Sequence, residues 1–276
     1  MRRHRRTTPD SAQELLTNLG HLVDEALERV RLQRARVDLA IALQRHMLPP
    51  DLPSLPGVGI AARYVPSRGG LEVGGDWYDA FLLPDGKVAI AIGDVQGHDV
   101  EAIAFMGQVR TSLRVLATAA PDPGKVLSEA NDLLISMGND LFATCCFLHF
   151  DPATGDVAVA RAGHVPLVWA TRSGQYGIAL DRGGPPLGVL AGERYPVTHR
   201  KVADAGSLVL LTDGVVEGPS CPIEEGLAAV ARLVRTGCDG DPDELAADVI
   251  KVADLTGHSD DAAVLVVHYD GPPVLD

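Results

Sequence analysis

The chain has 276 residues, of which 46% are hydrophobic, 22% charged and 4% aromatic, a composition that excludes a disordered chain, a fibre and a disulfide-rich scaffold. The formal net charge is −13. Residues 1–50 carry 9 Lys and Arg against 6 Asp and Glu, so residues 51–276 carry 15 against 31. An acidic body repels a phosphate backbone and attracts cations or a basic partner, so we expect no nucleic-acid partner.

The basic start, MRRHRRTTPD, leads into no apolar segment, and no run of about 18 apolar residues follows, so we expect neither a signal peptide nor a membrane span. Four cysteines lack the paired spacing of a zinc site: Cys145, Cys146, Cys221 and Cys238. Reduced thiols and the absence of a targeting segment favour a cytoplasmic protein.

Residues 11–48 contain one glycine and no proline, and their apolar residues recur at helical spacing. The heptad seam of this helix comprises Leu16, Leu19, Val23, Ala26, Val30, Gln33, Val37, Ala40, Gln44 and Met47. Two glutamines and two alanines weaken the seam, so an amphipathic helix packed on its own domain and a dimerising helix both remain open. The prolines from Pro49 onward end the helix.

Four units follow from this division: a disordered basic terminus (1–10), a regulatory or dimerisation helix (11–48), the main domain (49–270) and a short tail (271–276). Within the main domain, short β-like runs are joined by turns and helices come in pairs, which predicts an antiparallel α+β fold. Predicted strands are Ile60–Val65, Trp77–Leu83, Val88–Gly93, Thr144–Phe150, Asp156–Arg161, Pro166–Ala170, Tyr176–Leu180, Val197–Val202, Ser207–Leu211 and Ala262–Tyr269. Of these, Val197–Val202 and Ser207–Leu211 are expected to pair with each other across the turn at 204–206. Predicted helices cover 99–119, 123–137, 223–236 and 242–255.

Aspartates recur where the predicted strands begin or end: Asp76, Asp94, Asp213, Asp260 and Asp261. Any one of them can be an N-cap or a turn residue. Several together, most beside glycine, also suit an all-oxygen cage for Mg²⁺ or Mn²⁺, since a buried carboxylate needs a partner. Two such ions would activate a water and neutralise a phosphoryl group, so the spacing makes the chain a candidate di-metal hydrolase.

Five motifs, in this order and at about these spacings, resemble the SpoIIE/RsbU branch of protein phosphatase 2C-like enzymes. They are GGDWYD (74–79), IGDVQGH (92–98), AGHVPL (162–167), LLTDGVVE (210–217) and SDDAAVLVV (259–267). The likeness begins near LQRHMLPP (43–50) and covers about four-fifths of the chain. It implies an αββα four-layer sandwich of two antiparallel sheets flanked by helix pairs, preceded by an N-terminal helix.

The resemblance also assigns roles to single residues. Asp94 is expected to bridge two Mn²⁺ or Mg²⁺ ions, with the carbonyl of Val95 on one of them. Asp213 and Asp260 are expected to hold the other ion, and Asp76 to act on the Asp94 side, directly or through a water. Asp261, the last carboxylate of this predicted metal site, is expected in a supporting position. The implied reaction is direct attack of a metal-activated water on phosphorus.

Three further residues, His98, His164 and Arg63, have two interpretations each, and Asp99 departs from the family pattern. His98 can donate a proton to the leaving oxygen or be structural, and His164 can be catalytic or a hydrogen-bonded turn residue. Asp99 stands where many members have glycine and can cap the next helix. Arg63 can meet the substrate phosphate or be a surface arginine.

By resemblance, the substrate is phosphoserine or phosphothreonine on an anti-sigma-factor antagonist, a STAS-domain protein of a bacterial partner-switching pathway. An upstream activator or a second copy of the chain is expected to bind through residues 11–48. The alternatives are a catalytically silent pseudo-phosphatase that binds such a partner, and a di-metal hydrolase of a small phosphoester.

Overall fold

Two five-stranded antiparallel sheets and seven helices make up the computed structural model, which describes residues 12–66, 74–97, 100–120, 122–138, 140–219, 221–257 and 260–272. The helices are α1 (Ala12–Met47), α2 (Val100–Ala117), α3 (Pro123–Ser136), α4 (Asp213–Val216), α5 (Ile223–Gly237), α6 (Pro242–Val249) and α7 (Val252–Thr256). The strands are β1 (Val58–Val65), β2 (Trp77–Leu82), β3 (Val88–Val95), β4 (Ala143–Asp151), β5 (Asp156–Ala162), β6 (Val168–Thr171), β7 (Tyr176–Ile178), β8 (Thr198–Lys201), β9 (Gly206–Leu211) and β10 (Ala262–Tyr269).

The strand order is β1-β10-β9-β6-β7 in one sheet, called the β10 sheet, and β2-β3-β4-β5-β8 in the other, called the β3 sheet. All ladders between these strands are antiparallel. Tight turns join β2 to β3 and β4 to β5, and Gly86 and Gly155 supply the φ of 87° and 73° that these turns need. The predicted antiparallel α+β design is confirmed.

Strand β3 is buried on both faces, which explains its continuous apolar sequence. Ile90 and Ile92 belong to the cluster between the sheets, together with Leu265 of β10. Ala89 and Ala91 point the other way and belong to the cluster that contains α2 and α3. Successive strand residues alternate between faces, so a strand covered on both sides reads as one unbroken hydrophobic run.

Helices cover the outer face of each sheet. The pair α2 and α3 packs on the β3 sheet, while α5 and α6 pack on the β10 sheet. In α5, Leu227, Val230, Ala231 and Val234 are buried, and their spacing places them on one helix face. The layers therefore run helix, sheet, sheet, helix, and the predicted αββα sandwich is confirmed.

Two local predictions were wrong. The segments around β8 and β9 were expected to pair with each other, but β8 joins β5 while β9 lies between β10 and β6 in the opposite sheet. The predicted helix 242–255 is split into α6 and α7, because the N–H groups of Ala253 and Asp254 bond to carbonyls only three residues back. The short helix α4, which begins at Asp213, was not predicted.

Among the described side chains of helix α1, those that are buried lie in its C-terminal part. The described side chains between 14 and 35 are all exposed, including the seam residues Leu16, Leu19 and Val23. Val37 and Gln44 are buried. The predicted terminus 1–10 lies outside the described residues, as does most of the predicted tail. In the described part of the chain, no helix is both long and apolar enough to cross a membrane.

Candidate active site

Four segments bring carboxylates to one end of the sandwich. Asp94 lies near the end of β3 and Asp76 directly before β2, and these two strands are antiparallel neighbours. In the β10 sheet, Asp213 follows β9, whereas Asp260 and Asp261 precede β10. Because antiparallel neighbours place the start of one strand beside the end of the next, all five residues reach the same end.

Asp76 is one of the two almost fully buried carboxylates among these strand-end residues, the other being Asp261. Its side chain is 2% exposed and accepts a hydrogen bond of 2.7 Å from the Thr212 hydroxyl. Burial raises the pKa of Asp76 well above its ordinary value, and the charges of Asp94 and Asp261 raise it further, while the Thr212 hydrogen bond acts in the opposite direction. Asp76 is therefore a carboxylate with a strong requirement for a positive partner.

Asp94 is half-buried and surrounded by like charge. Burial raises its pKa to about 8, helped by the charges of Asp213, Asp260 and Asp261. The pKa of Asp213 is also raised, first by burial and then by the charge of Asp260. Because each carboxylate shifts the pKa of its neighbours, the protonation of these carboxylates is coupled.

The two glycines before Asp76 allow the segments to approach closely. A Cβ added to Gly75 would lie 2.2 Å from the carbonyl oxygen of Val95, and one added to Gly74 would lie 1.4 Å from Oδ2 of Asp261. The Val95 N–H donates to the carbonyl of Gly75 at 3.2 Å. The glycine pair is thus required by space, because any side chain would separate these segments.

Asp261 is 1% exposed, and its carboxylate accepts a hydrogen bond from a residue of β1. The hydroxyl of Tyr64 in β1 donates to its Oδ2, and the side-chain amide of Gln44 in α1 donates to the Tyr64 hydroxyl. The same amide donates to the carbonyl of Gly74 at 2.9 Å. Burial and the neighbouring Asp76 and Asp261 charges raise the pKa of Tyr64, so its hydroxyl stays protonated.

His164 is a structural residue in this arrangement. Its Nε2 lies 3.0 Å from the carbonyl oxygen of Leu211, so Nε2 carries the proton, and Nδ1 accepts from the Thr144 hydroxyl at 2.8 Å. Burial lowers the pKa of His164 to about 4, which keeps the ring neutral. The imidazole links β4 of one sheet to β9 of the other, and its two hydrogen bonds agree with the interpretation of His164 as a hydrogen-bonded residue.

Three further sequence candidates are His98, Asp99 and Arg63. His98, expected as a catalytic residue, and Asp99 lie outside the described residues. Arg63 forms an ion pair of 2.9 Å with Asp243 of α6, which agrees with the interpretation of Arg63 as a surface arginine. An open cavity of about 360 Å³ borders the carboxylates and is lined by Asp213, Gly214, Glu217, Gly218, Pro219 and Asp260.

The donor set fits hard divalent cations. Among the described residues, no three Asp, Glu, His or Cys side chains already have the arrangement of a metal site. The available donors are nevertheless carboxylate oxygens and the Val95 carbonyl, the ligands that Mg²⁺ and Mn²⁺ prefer. Burial and like charge raise the pKa of Asp76, Asp94 and Asp213, and a cation would relieve that repulsion.

Three residues that contact the site, Thr212, Tyr64 and Gln44, were not predicted from the sequence to do so. Thr212 precedes Asp213 in the LLTDG segment, but nothing in the spacing indicated that its hydroxyl reaches the opposite sheet. Tyr64 was assigned only to a strand, and Gln44 only to the helix seam. Polar residues at seam positions are the one signal that pointed to Gln44, because a buried polar group requires a partner.

Comparison with known proteins identifies the family. The profile of the family described as Stage II sporulation protein E (SpoIIE) matches residues 84–270. Protein IcfG of Synechocystis sp. (strain ATCC 27184 / PCC 6803 / Kazusa) is 28% identical over 275 residues, covering 90% of this chain and 42% of IcfG. Phosphoserine phosphatase RsbU of Bacillus subtilis (strain 168) is 24% identical over 194 residues, covering 70% of this chain and 56% of RsbU. The chain thus spans about half the length of these two relatives.

Solved structures show the same fold. The RsbU and RsbW domains of Rv1364c from Mycobacterium tuberculosis match with a TM-score of 0.72 and 30% identity, over 82% of this chain and 64% of that one. The SiaA-PP2C domain of Pseudomonas aeruginosa matches with a TM-score of 0.69 and 20% identity, over 89% of this chain and all of that one. The chain therefore belongs to the SpoIIE family, in the SpoIIE/RsbU branch of the protein phosphatase 2C-like serine/threonine phosphatases.

Proposed function

We propose that this chain is a metal-dependent protein phosphatase that hydrolyses phosphoserine or phosphothreonine. The observation that carries the proposal is the group of carboxylates at one end of the sandwich, three of which have pKa values raised by burial and by neighbouring carboxylates. A structural cap or turn residue has no need of such neighbours, whereas a site for cations does.

The residues that would hold two Mn²⁺ or Mg²⁺ ions are Asp94 with the Val95 carbonyl and Asp76 on one side, and Asp213 with Asp260 on the other. Asp94 would serve both ions, and Asp261 would support the Asp76 side. When bound, the ions lower the pKa of a water and neutralise charge on a phosphoryl group.

Hydrogen bonds within the chain orient the carboxylates that would hold the ions. The Thr212 hydroxyl fixes one oxygen of Asp76, and the other oxygen would turn toward a cation or a water. The N–H of Gly214 donates a hydrogen bond of 2.9 Å to Oδ1 of Asp213 and fixes that oxygen. The cavity beside Asp213 and Asp260 is open, so a phosphorylated side chain of a folded protein can enter it.

For the substrate, we propose an anti-sigma-factor antagonist of the STAS class, phosphorylated on serine or threonine. Two curated relatives are phosphoserine phosphatases, RsbP (27% identical over 151 residues) and RsbU, both of Bacillus subtilis (strain 168). The test is phosphate release from a serine-phosphorylated STAS-domain protein beside p-nitrophenyl phosphate and a phosphotyrosine peptide. Selective release from the STAS protein supports the assignment, equal rates indicate a hydrolase of small phosphoesters, and binding without release indicates a pseudo-phosphatase.

We also propose that residues 11–48 bind an upstream activator or a second copy of the chain. The support is the exposed apolar side of α1, where Leu16, Leu19 and Val23 are each about half or more exposed. Deleting residues 1–40 is expected to change the turnover rate and, for a homodimer, to halve the mass measured by light scattering. Unchanged turnover and mass would contradict this role.

A further inference from the structure

A chain of hydrogen bonds leads from α1 into the candidate metal site. The amide nitrogen of Gln44 donates to the Tyr64 hydroxyl, which in turn donates to Oδ2 of Asp261. The three residues come from α1, β1 and the segment before β10, so the contact joins parts that are far apart in sequence. The charge of Asp261, like that of Asp213, acts on both Asp76 and Asp94.

The direction of each hydrogen bond between Gln44, Tyr64 and Asp261 follows from which atoms can donate and which can only accept. The second hydrogen of the Gln44 amide goes to the carbonyl of Gly74 at 2.9 Å, and a carbonyl can only accept. The nitrogen of Gln44, not its oxygen, therefore faces Tyr64 and Gly74. The Tyr64 oxygen accepts from that nitrogen, which leaves its own hydrogen for the carboxylate of Asp261.

The same part of α1 is fixed by two further contacts. Nη1 of Arg110 in α2 donates to the carbonyl of Met47 at 2.5 Å, and Nε of Arg110 pairs with the buried Asp79 of β2 at 3.0 Å. Gly107 of α2 lies against Met47, since a Cβ there would be 2.7 Å from the Met47 sulfur. Gln44, only 3% exposed, is thus held in place by the docking of the last turns of α1.

We propose that Gln44 and Tyr64 are positioning residues that orient Asp261, so that the affinity of the site for Mn²⁺ depends on the docked end of α1. The proposal rests on the metal-dependent function proposed above. Groups that hydrogen-bond to a metal-site carboxylate fix its orientation, and their loss costs roughly 10- to 100-fold in metal affinity. Neither residue touches the phosphoryl group in this role.

The test is the dissociation constant of Mn²⁺, measured by titration calorimetry on the full-length chain at one fixed pH. Tyr64→Phe removes only the hydroxyl, and Gln44→Met keeps the length and helical propensity of the side chain. Matched controls are Tyr176→Phe and Gln175→Met, which change exposed residues of the same types outside α1. Urea unfolding in EDTA establishes that each variant is folded.

Each of the two variants is expected to bind Mn²⁺ at least about tenfold more weakly than the wild type, and both controls to match it. The double variant is expected to be no weaker than the weaker single variant, because one chain of hydrogen bonds is broken in either case. Wild-type Mn²⁺ affinity in Tyr64→Phe would overturn the positioning role and leave the proposed function standing. The same conclusion would follow if the loss of affinity in the double variant equalled the product of the two single losses. A wild-type chain that binds no Mn²⁺ would overturn both this role and the proposed function.

Discussion

Thr212, directly after β9, donates a 2.7 Å hydrogen bond to Asp76, which precedes β2 in the opposite sheet. The same hydroxyl oxygen accepts the N–H of Ala263 in β10 at 2.9 Å. One fully buried side chain therefore connects both sheets at the end where the carboxylates lie. The orientation of Asp76 depends on how the two sheets pack, and not only on its own segment.

Thr212→Val is expected to lower both stability and metal affinity. The substitution keeps the shape but leaves the Ala263 N–H and the Asp76 carboxylate without this partner, which costs about 1–3 kcal/mol of unfolding free energy. Mn²⁺ affinity is expected to fall by roughly tenfold or more. Urea unfolding and Mn²⁺ titration measure the two effects. Thr212→Ser keeps the hydroxyl and should restore most of both, and equal behaviour of Ser and Val would refute the account.

Gly75→Ala is expected to disrupt the approach of the Asp76 segment to β3. Its Cβ would lie 2.2 Å from the Val95 carbonyl oxygen, so the backbone must move. Such overpacking costs about 1–3 kcal/mol of stability, and we expect a weaker Mn²⁺ site as well. Gly20→Ala is the matched control, because a Cβ at Gly20 meets nothing within 4 Å. Unchanged Mn²⁺ affinity in Gly75→Ala would show that Val95 is not part of the site.

The metal-free protein is expected to lose stability as the pH rises from 7 to about 8.5. Burial and like charge raise the pKa of Asp94 to about 8 in the folded state, while the unfolded carboxyl is ionised throughout this range. The folded state therefore binds more protons than the unfolded state, and the free energy of unfolding falls with increasing pH. Urea unfolding in EDTA at several pH values measures this slope.

Asp94→Asn should flatten that slope, because it removes the group that binds the extra proton. Saturating Mn²⁺ should also suppress the loss, since the cation favours the ionised carboxylates. A metal-free wild type whose stability is constant or rises between pH 7 and 8.5 would contradict the electrostatic description of the site.

His164 is expected to remain neutral, with the proton on Nε2, well below the pH at which an ordinary histidine is protonated. Its buried ring bonds to Thr144 and to the Leu211 carbonyl, and burial lowers its pKa to about 4. Because the unfolded histidine gains a proton near pH 6.5, this residue contributes stability that is lost as the pH falls from 6.5 toward 4. Nitrogen-detected NMR of the imidazole measures the protonation directly. A His164 signal that titrates between pH 6 and 7 would disprove the assignment.

The features that sequence can predict here are those set by local pattern. The unbroken apolar run of β3 and the turn at Gly86 predict a buried strand in a hairpin, and both are present. The aspartates at strand ends reach one end of the sandwich because antiparallel strands return them there. Their position follows from alternation and chain reversal, without knowledge of any distant contact.

The features that sequence could not predict depend on contacts between distant segments. The turn before Gly206 has the residues of a hairpin, yet β8 and β9 enter different sheets because each finds its partner elsewhere. The hydroxyl of Tyr64 meets Asp261 across 197 positions, and Thr212 meets Asp76 across 136. Spacing along the chain carries no signal for such hydrogen bonds.

The most direct test of the metal-dependent phosphatase is turnover of p-nitrophenyl phosphate with Mn²⁺, Mg²⁺, Zn²⁺ or EDTA. We expect turnover with Mn²⁺ or Mg²⁺ that disappears in EDTA and in Asp94→Asn, because that carboxylate would hold both ions. Asp51→Asn, which removes the same charge from an exposed position, should retain full activity. Turnover that persists in EDTA or in Asp94→Asn, or no turnover with any metal, would contradict the account.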